Sequence, residues 1–146
     1  MSVNFIDTAD IYSGGHSEEI VRKFVAASKA RDEVVIAIKF GFKGTNTPHN
    51  GGNEAKNIHR ALNGSLKRLG TNYIDMYWMH VWDAVTPVEE NLQTLGDLVR
   101  VGKIRYFGFA DMPAWVAIKA AVIANIRGIE RALIAGAIDC GMDVQP

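Results

Sequence analysis

Ile74-Asp75-Met76-Tyr77-Trp78-Met79, closed by His80, is a short run of aromatic and apolar residues. It has the length of a strand and falls short of a core helix. Three further runs share this character: Val3 to Ile6, Val34 to Ile38 and Ile104 to Phe109. Their near-continuous hydrophobicity predicts strands buried on both faces, as in parallel sheets. The segments between them carry apolar residues at helical spacing. Strands alternating with helices predict an α/β fold with a parallel sheet covered by helices.

Each intervening helix has its own signature. From Ser17 to about Ala30, Ile20, Val21, Phe24 and Val25 fall on one stripe, with Glu18, Glu19, Arg22 and Lys23 outside it. Ile58, Ala61, Leu62, Leu66 and Leu69 form the second stripe, and Gly70 supplies a C-terminal stop. The third helix is predicted to open with Thr86 as N-cap, Pro87 in its first position and Glu89 reaching back, and to end at Gly102. Val88, Leu92, Leu95 and Val99 face inward. Pro113 to Gly141 reads as one long or broken Ala/Ile-rich helix interrupted at Gly128 and Gly136, with no convincing fifth strand before Val144.

The 146 residues are 48% hydrophobic and 22% charged, which predicts a single globular domain with a real core. A formal net charge of zero argues against binding to nucleic acid or anionic lipid. The lone Cys140, with no signal-like opening and no membrane span, predicts a cytoplasmic protein.

In parallel α/β barrels the chemistry sits where strands end. Asp7, Lys39 and His80 each close one of the apolar runs, and Tyr12 follows Asp7 in a loop. Taken singly, such residues cap helices or reach solvent. Together, on one rim, they make chemical sense. A phenol ionises near pH 10 and is a poor proton donor at neutral pH, but a nearby ammonium favours its ionised form. At about 4 Å and an effective dielectric near 20, that attraction is about 4 kcal/mol. Asp7 would hold Lys39 in place, and His80 would orient a carbonyl oxygen.

Asn4-Phe5-Ile6-Asp7-Thr8-Ala9 with Tyr12 resembles the signature of the aldo-keto reductases around their second barrel strand. Ile36-Ala37-Ile38-Lys39 is similar to the family's lysine strand, Tyr73 to His80 to its histidine strand, and Gly102 to Phe109 to the strand after it. The resemblance implies a partial (β/α)8 TIM barrel of about four parallel strands alternating with helices, plus a long C-terminal helical segment. It also implies NADPH-dependent reduction of aldehydes and ketones. Tyr12 would then be the proton donor, Asp7 and Lys39 would tune it, and His80 would orient the substrate. Trp82-Asp83 resembles the aryl-alcohol-dehydrogenase-like branch, with Trp82 lining the substrate pocket. Asp111 keeps the polar neighbour that contacts the nicotinamide amide, although Ala110 replaces the usual serine.

The quoted motifs begin at the family's second strand, and Asp139 to Pro146 resembles the approach to the seventh. Ile129-Glu130-Arg131 is similar to the start of a later helix, which implies an internal deletion. The chain thus reads as a truncated member, without the family's grip on the cofactor pyrophosphate and 2′-phosphate near strands seven and eight. Weak NADPH binding in a monomer, and self-association to cover open sheet edges, are the resulting expectations. Two other readings stay open: a cofactor-free acid/base pocket with esterase-like activity, and a non-catalytic oligomeric remnant. His16, His49 and His59 lack metal-ligand spacing, so no metal site is predicted. Gly14-Gly15 and Gly51-Gly52 are read as turns rather than phosphate cradles, and Tyr77, Trp78 and Trp115 as core aromatics.

Overall fold

In a computed structural model of the chain, the described residues are 4–43, 51–129 and the backbone of Ala132–Leu133. Val3, His49, Glu130, Arg131 and everything from Ile134 to Pro146, including Gly136, Cys140 and Val144, lie outside them. The order is β1 (Phe5–Ala9), a 3₁₀ turn (Tyr12–Gly15), α1 (His16–Ser28), β2 (Val35–Phe40), α2 (Ala55–Leu69), β3 (Ile74–Met79), α3 (Val88–Arg100), β4 (Ile104–Phe109), α4 (Ala114–Ile126) and β5 (Ala132–Leu133). The five strands form one parallel sheet in sequential order. Sequential parallel strands joined by right-handed crossovers keep their helices on one side, which is how a β/α barrel winds.

Strand alternation sorts the side chains onto two faces. Ile36, Ile38, Phe40, Tyr77, Phe107 and Phe109 form the core with α2 and α3, through Ile58, Leu62, Leu66, Leu92 and Leu95. Tyr77 stacks on Phe40 at 4.4 Å between ring centroids. Each fully buried side chain of this size contributes about 1.5–3 kcal/mol. The expectation of strands buried on both faces is corrected on the other side of the sheet. There Phe5 is 51% exposed, Val35 36% and Tyr106 44%. Asp7, Lys39 and Trp78 alternate onto this same open face.

β3 and β4 occupy the predicted spans, while β1 and β2 start and end about two residues later than their apolar runs suggest. Asp7 therefore lies inside β1 rather than at its end. A further correction concerns α4: it stops at Ile126, Gly128 follows with φ 64°, and β5 pairs with β4 where helix was expected. On α1 only half of the predicted stripe turns inward, since Val21 and Val25 pack against the core but Ile20 and Phe24 are each 55% exposed. Trp115, expected in the core, is 60% exposed.

The start of α3 also differs from expectation. Pro87 occupies the N-cap position and Val88 begins the helix. Thr86 is diverted by Asp83, whose carboxylate accepts hydrogen bonds from the Val85 and Thr86 backbone N–H groups, the Thr86 hydroxyl and the Asn53 backbone N–H. Burial alone would raise the Asp83 carboxyl, but these bonds outweigh it and hold the group below its ordinary value. Its stabilisation is thus present above the unfolded-state value and is lost as pH falls. Asp83→Ala is expected to cost about 1–2 kcal/mol at pH 7, measured by urea denaturation.

Candidate active site

The C-terminal rim of the sheet gathers the four residues singled out from sequence. Asp7 on β1 and Lys39 on β2 are diagonal neighbours on the open face, because Asp7 pairs in register with Ala37, and Lys39 with Ala9. The Lys39 ammonium donates a hydrogen bond to Asp7 Oδ2. Its side chain is 17% exposed and that of Asp7 43%. The same ammonium lies over the Tyr12 ring, 5.4 Å from the centroid, within cation–π range.

Tyr12 enters from a tight turn. The Asp10 backbone N–H donates to the Lys39 carbonyl at 3.0 Å, which ties the start of the loop to β2. Ser13, Gly14 and Gly15 then adopt positive φ values of 50°, 64° and 95°. Tyr12 itself is 44% exposed and meets the edge of His80 at 6.1 Å between centroids.

His80 follows β3 and is only 9% exposed. Its backbone N–H donates to the Phe40 carbonyl at 2.8 Å, fixing the rim of β3 beside β2. Burial, and then the Lys39 charge, hold the imidazole below its ordinary value of 6.5, against the opposing pull of Asp111 and Asp7. His80 is therefore a neutral imidazole at pH 7, able to donate from one nitrogen and accept at the other. Phe42 packs edge-on against it at 4.6 Å. Sequence reasoning missed Phe42; the available signal was an aromatic residue just past Gly41 in the loop leaving the lysine strand.

The other two predicted residues occupy different ground. Asp111 sits just past β4 with φ 42°, exposed, and acts electrostatically on His80. Trp82 packs edge-to-face on Trp115 of α4 at 5.4 Å, and partly against the core.

Behind the Tyr12 turn lies a cluster that sequence reading did not single out. Glu18, in the first turn of α1, is fully buried, and its Oε2 accepts a hydrogen bond from Arg68 Nε on α2. Arg68 Nη2 also donates to Ser65 Oγ at 3.3 Å. Among the described residues, Asp10 Oδ1, Glu18 Oε1 and the Tyr77 hydroxyl are buried and have no hydrogen-bond partner. Burial, reinforced by Glu18, pushes the Asp10 carboxyl up to about 6, against the pull of Arg68, the Ile11 backbone N–H and Arg60. Glu18 and Arg68 are fifty positions apart in the chain, so no local motif exposes the pairing.

A parallel β/α sheet carrying a phenol, a lysine, a carboxylate and an imidazole on one rim defines a class of barrel proteins, and the comparisons identify which. The model of the aldo/keto reductase family matches residues 1–131. An aryl-alcohol dehydrogenase of Pestalotiopsis microspora is 36% identical over 132 residues, covering 86% of this chain and 34% of that protein. Norsolorinic acid reductase B of Dothistroma septosporum is 39% identical over 137 residues, covering 90% and 35%. Among solved structures, a thermostable aldo-keto reductase, Tm1743, in complex with the inhibitor epalrestat superposes with a TM-score of 0.69 at 31% identity, over 80% of this chain and 39% of that one. The chain belongs to the aldo/keto reductase family. It spans about a third of the length of the curated relatives it matches.

Proposed function

We propose that this rim reduces aldehydes and ketones with NADPH, Tyr12 giving the proton to the carbonyl oxygen. The observation that carries the reading is that one ammonium, Lys39, donates to the Asp7 carboxylate and lies over the Tyr12 ring, whose centroid is 6.1 Å from that of the His80 ring. The nicotinamide, when bound, supplies the hydride that the carbonyl carbon accepts. The protein's own groups do the rest. Lys39 stabilises negative charge developing on the phenolic oxygen as its proton leaves, and Asp7 keeps that ammonium aimed. Neutral His80 donates a hydrogen bond that orients the carbonyl, and Phe42 limits the ring's freedom. Asp111 offers an acceptor suited to the cofactor's carboxamide, and Trp82 an apolar wall for an aromatic substrate. The names of the relatives, aryl-alcohol dehydrogenase and norsolorinic acid reductase, agree with aromatic substrates of this kind.

We also propose that the chain self-associates. Support comes from the open sheet face with Phe5, Val35 and Tyr106, and from the apolar stripe Trp115, Ile118, Val122 and Ile126 along α4, all substantially exposed. Titration with NADPH, followed by quenching of Trp78, Trp82 and Trp115 fluorescence alongside sedimentation, tests both parts. Saturation at micromolar cofactor and a species larger than the monomer are expected. Absence of binding up to millimolar cofactor overturns the reductase reading, and a monomer at every concentration overturns self-association.

A further inference from the structure

The turn that carries Tyr12 is conformationally costly. Ser13 holds φ 50° and ψ 37°, a left-handed geometry that crowds the Cβ of any residue but glycine. Something outside the turn must hold it there. A Cβ added to Gly15, its last residue, would lie 2.7 Å from Arg68 Cδ and 2.8 Å from Arg68 Nε. The arginine stem is therefore flush against the turn's backbone. Its guanidinium is fixed in turn by the fully buried Glu18, three residues further along, and by Ser65. On the near side, Asp10 anchors the turn to β2 through its backbone N–H. One side chain on α2 thus braces both the exit of the turn and the first turn of α1.

We propose that Arg68 is a positioning residue, which sets where the Tyr12 phenol stands by clamping Glu18 and packing against Gly15. It acts through the backbone, at Gly15 and the first turn of α1. The proposal rests on the reductase reading for what Tyr12 does, but not for where Tyr12 is held. Arg rather than Lys is required, since Nε donates to Glu18 while Nη2 donates to Ser65, and lysine carries a single nitrogen at the end of its stem.

The test places 3-fluorotyrosine at position 12 and compares Arg68→Lys with the parent chain, after circular dichroism has verified folding. The fluorine resonance of the free protein is expected to move or broaden, and kcat for an aldehyde to fall about 10- to 100-fold with KM nearly unchanged. Should Arg68→Lys fail to fold, Glu18→Met, which keeps the side-chain length but removes the acceptor of the Arg68 Nε bond, carries the same measurements. A folded variant with the parent's resonance and the parent's kcat overturns the proposal. If the parent itself reduces no carbonyl, the reductase reading fails by that result, and the fluorine line still decides whether Arg68 positions Tyr12.

Discussion

Tyr12→Phe is expected to lower the rate of aldehyde reduction by about 10²- to 10⁴-fold, the range for loss of a positioned general acid. The substitution removes one oxygen and little else. The contact with the Lys39 ammonium is made by the ring, as is the edge-on contact with His80, and both survive in phenylalanine. The side chain is 44% exposed, so its hydroxyl contributes little to core packing. Melting temperature and NADPH affinity should therefore match the parent, and the loss should fall on kcat. Single-turnover kinetics with an aromatic aldehyde measure it. A variant that retains the parent's kcat would transfer the proton-donor role to another group, with His80 the nearest candidate.

Asp10 gives the second large effect, on stability. Its folded-state value of about 6 lies above the ordinary 3.8. A raised carboxyl binds its proton more tightly in the folded state than in the unfolded one. Stability from this group is thus greatest below the unfolded value, declines as pH rises from about 4 to about 6, and is flat above. The interval corresponds to about 3 kcal/mol. Glu18 acts with burial to resist ionisation, whereas Arg68, Arg60 and the Ile11 N–H favour it. Asp83 works in the opposite direction, so the parent's own pH profile mixes the two. Asp10→Asn isolates the effect: relative to the parent, the variant should gain about 3 kcal/mol between pH 4 and pH 7 in urea denaturation. A difference that stays constant with pH would place the Asp10 carboxyl at its ordinary value.

What was legible in the sequence follows from the range over which its signals act. β3 and β4 are legible because their apolar runs span the whole strand, and α2 because its stripe and Gly70 stop are local. β1 was cut short at Asp7 and Thr8. Their polar groups are satisfied by partners elsewhere in the chain, Lys39 for Asp7 and the Ser17 hydroxyl at 2.7 Å for Thr8, so extended structure persists where hydrophobicity fails. The outward turn of Ile20 and Phe24 has a similar origin. α1 buries Glu18 against Arg68, which rotates the helix about an ion pair that periodicity does not register. The rim residues could be named because each closes an apolar run, although Asp7 and Lys39 lie inside their strands. Arg68 could not, since it matters only through Glu18, a neighbour brought near by folding.

The sequential order of the sheet bears on how the molecule comes into being. Phe5 pairs with Val35, Ala37 with Met76 and Ile74 with Ile104. Among the described strands, each meets its partner one helix later in the chain. Loop closure over such short, similar intervals costs little more for the last strand than for the first. The sheet can thus lengthen in the order in which a ribosome delivers its strands, each new β/α unit docking on a surface already built. The rim chemistry of Asp7, Lys39 and His80 is assembled as soon as the third strand has joined the second.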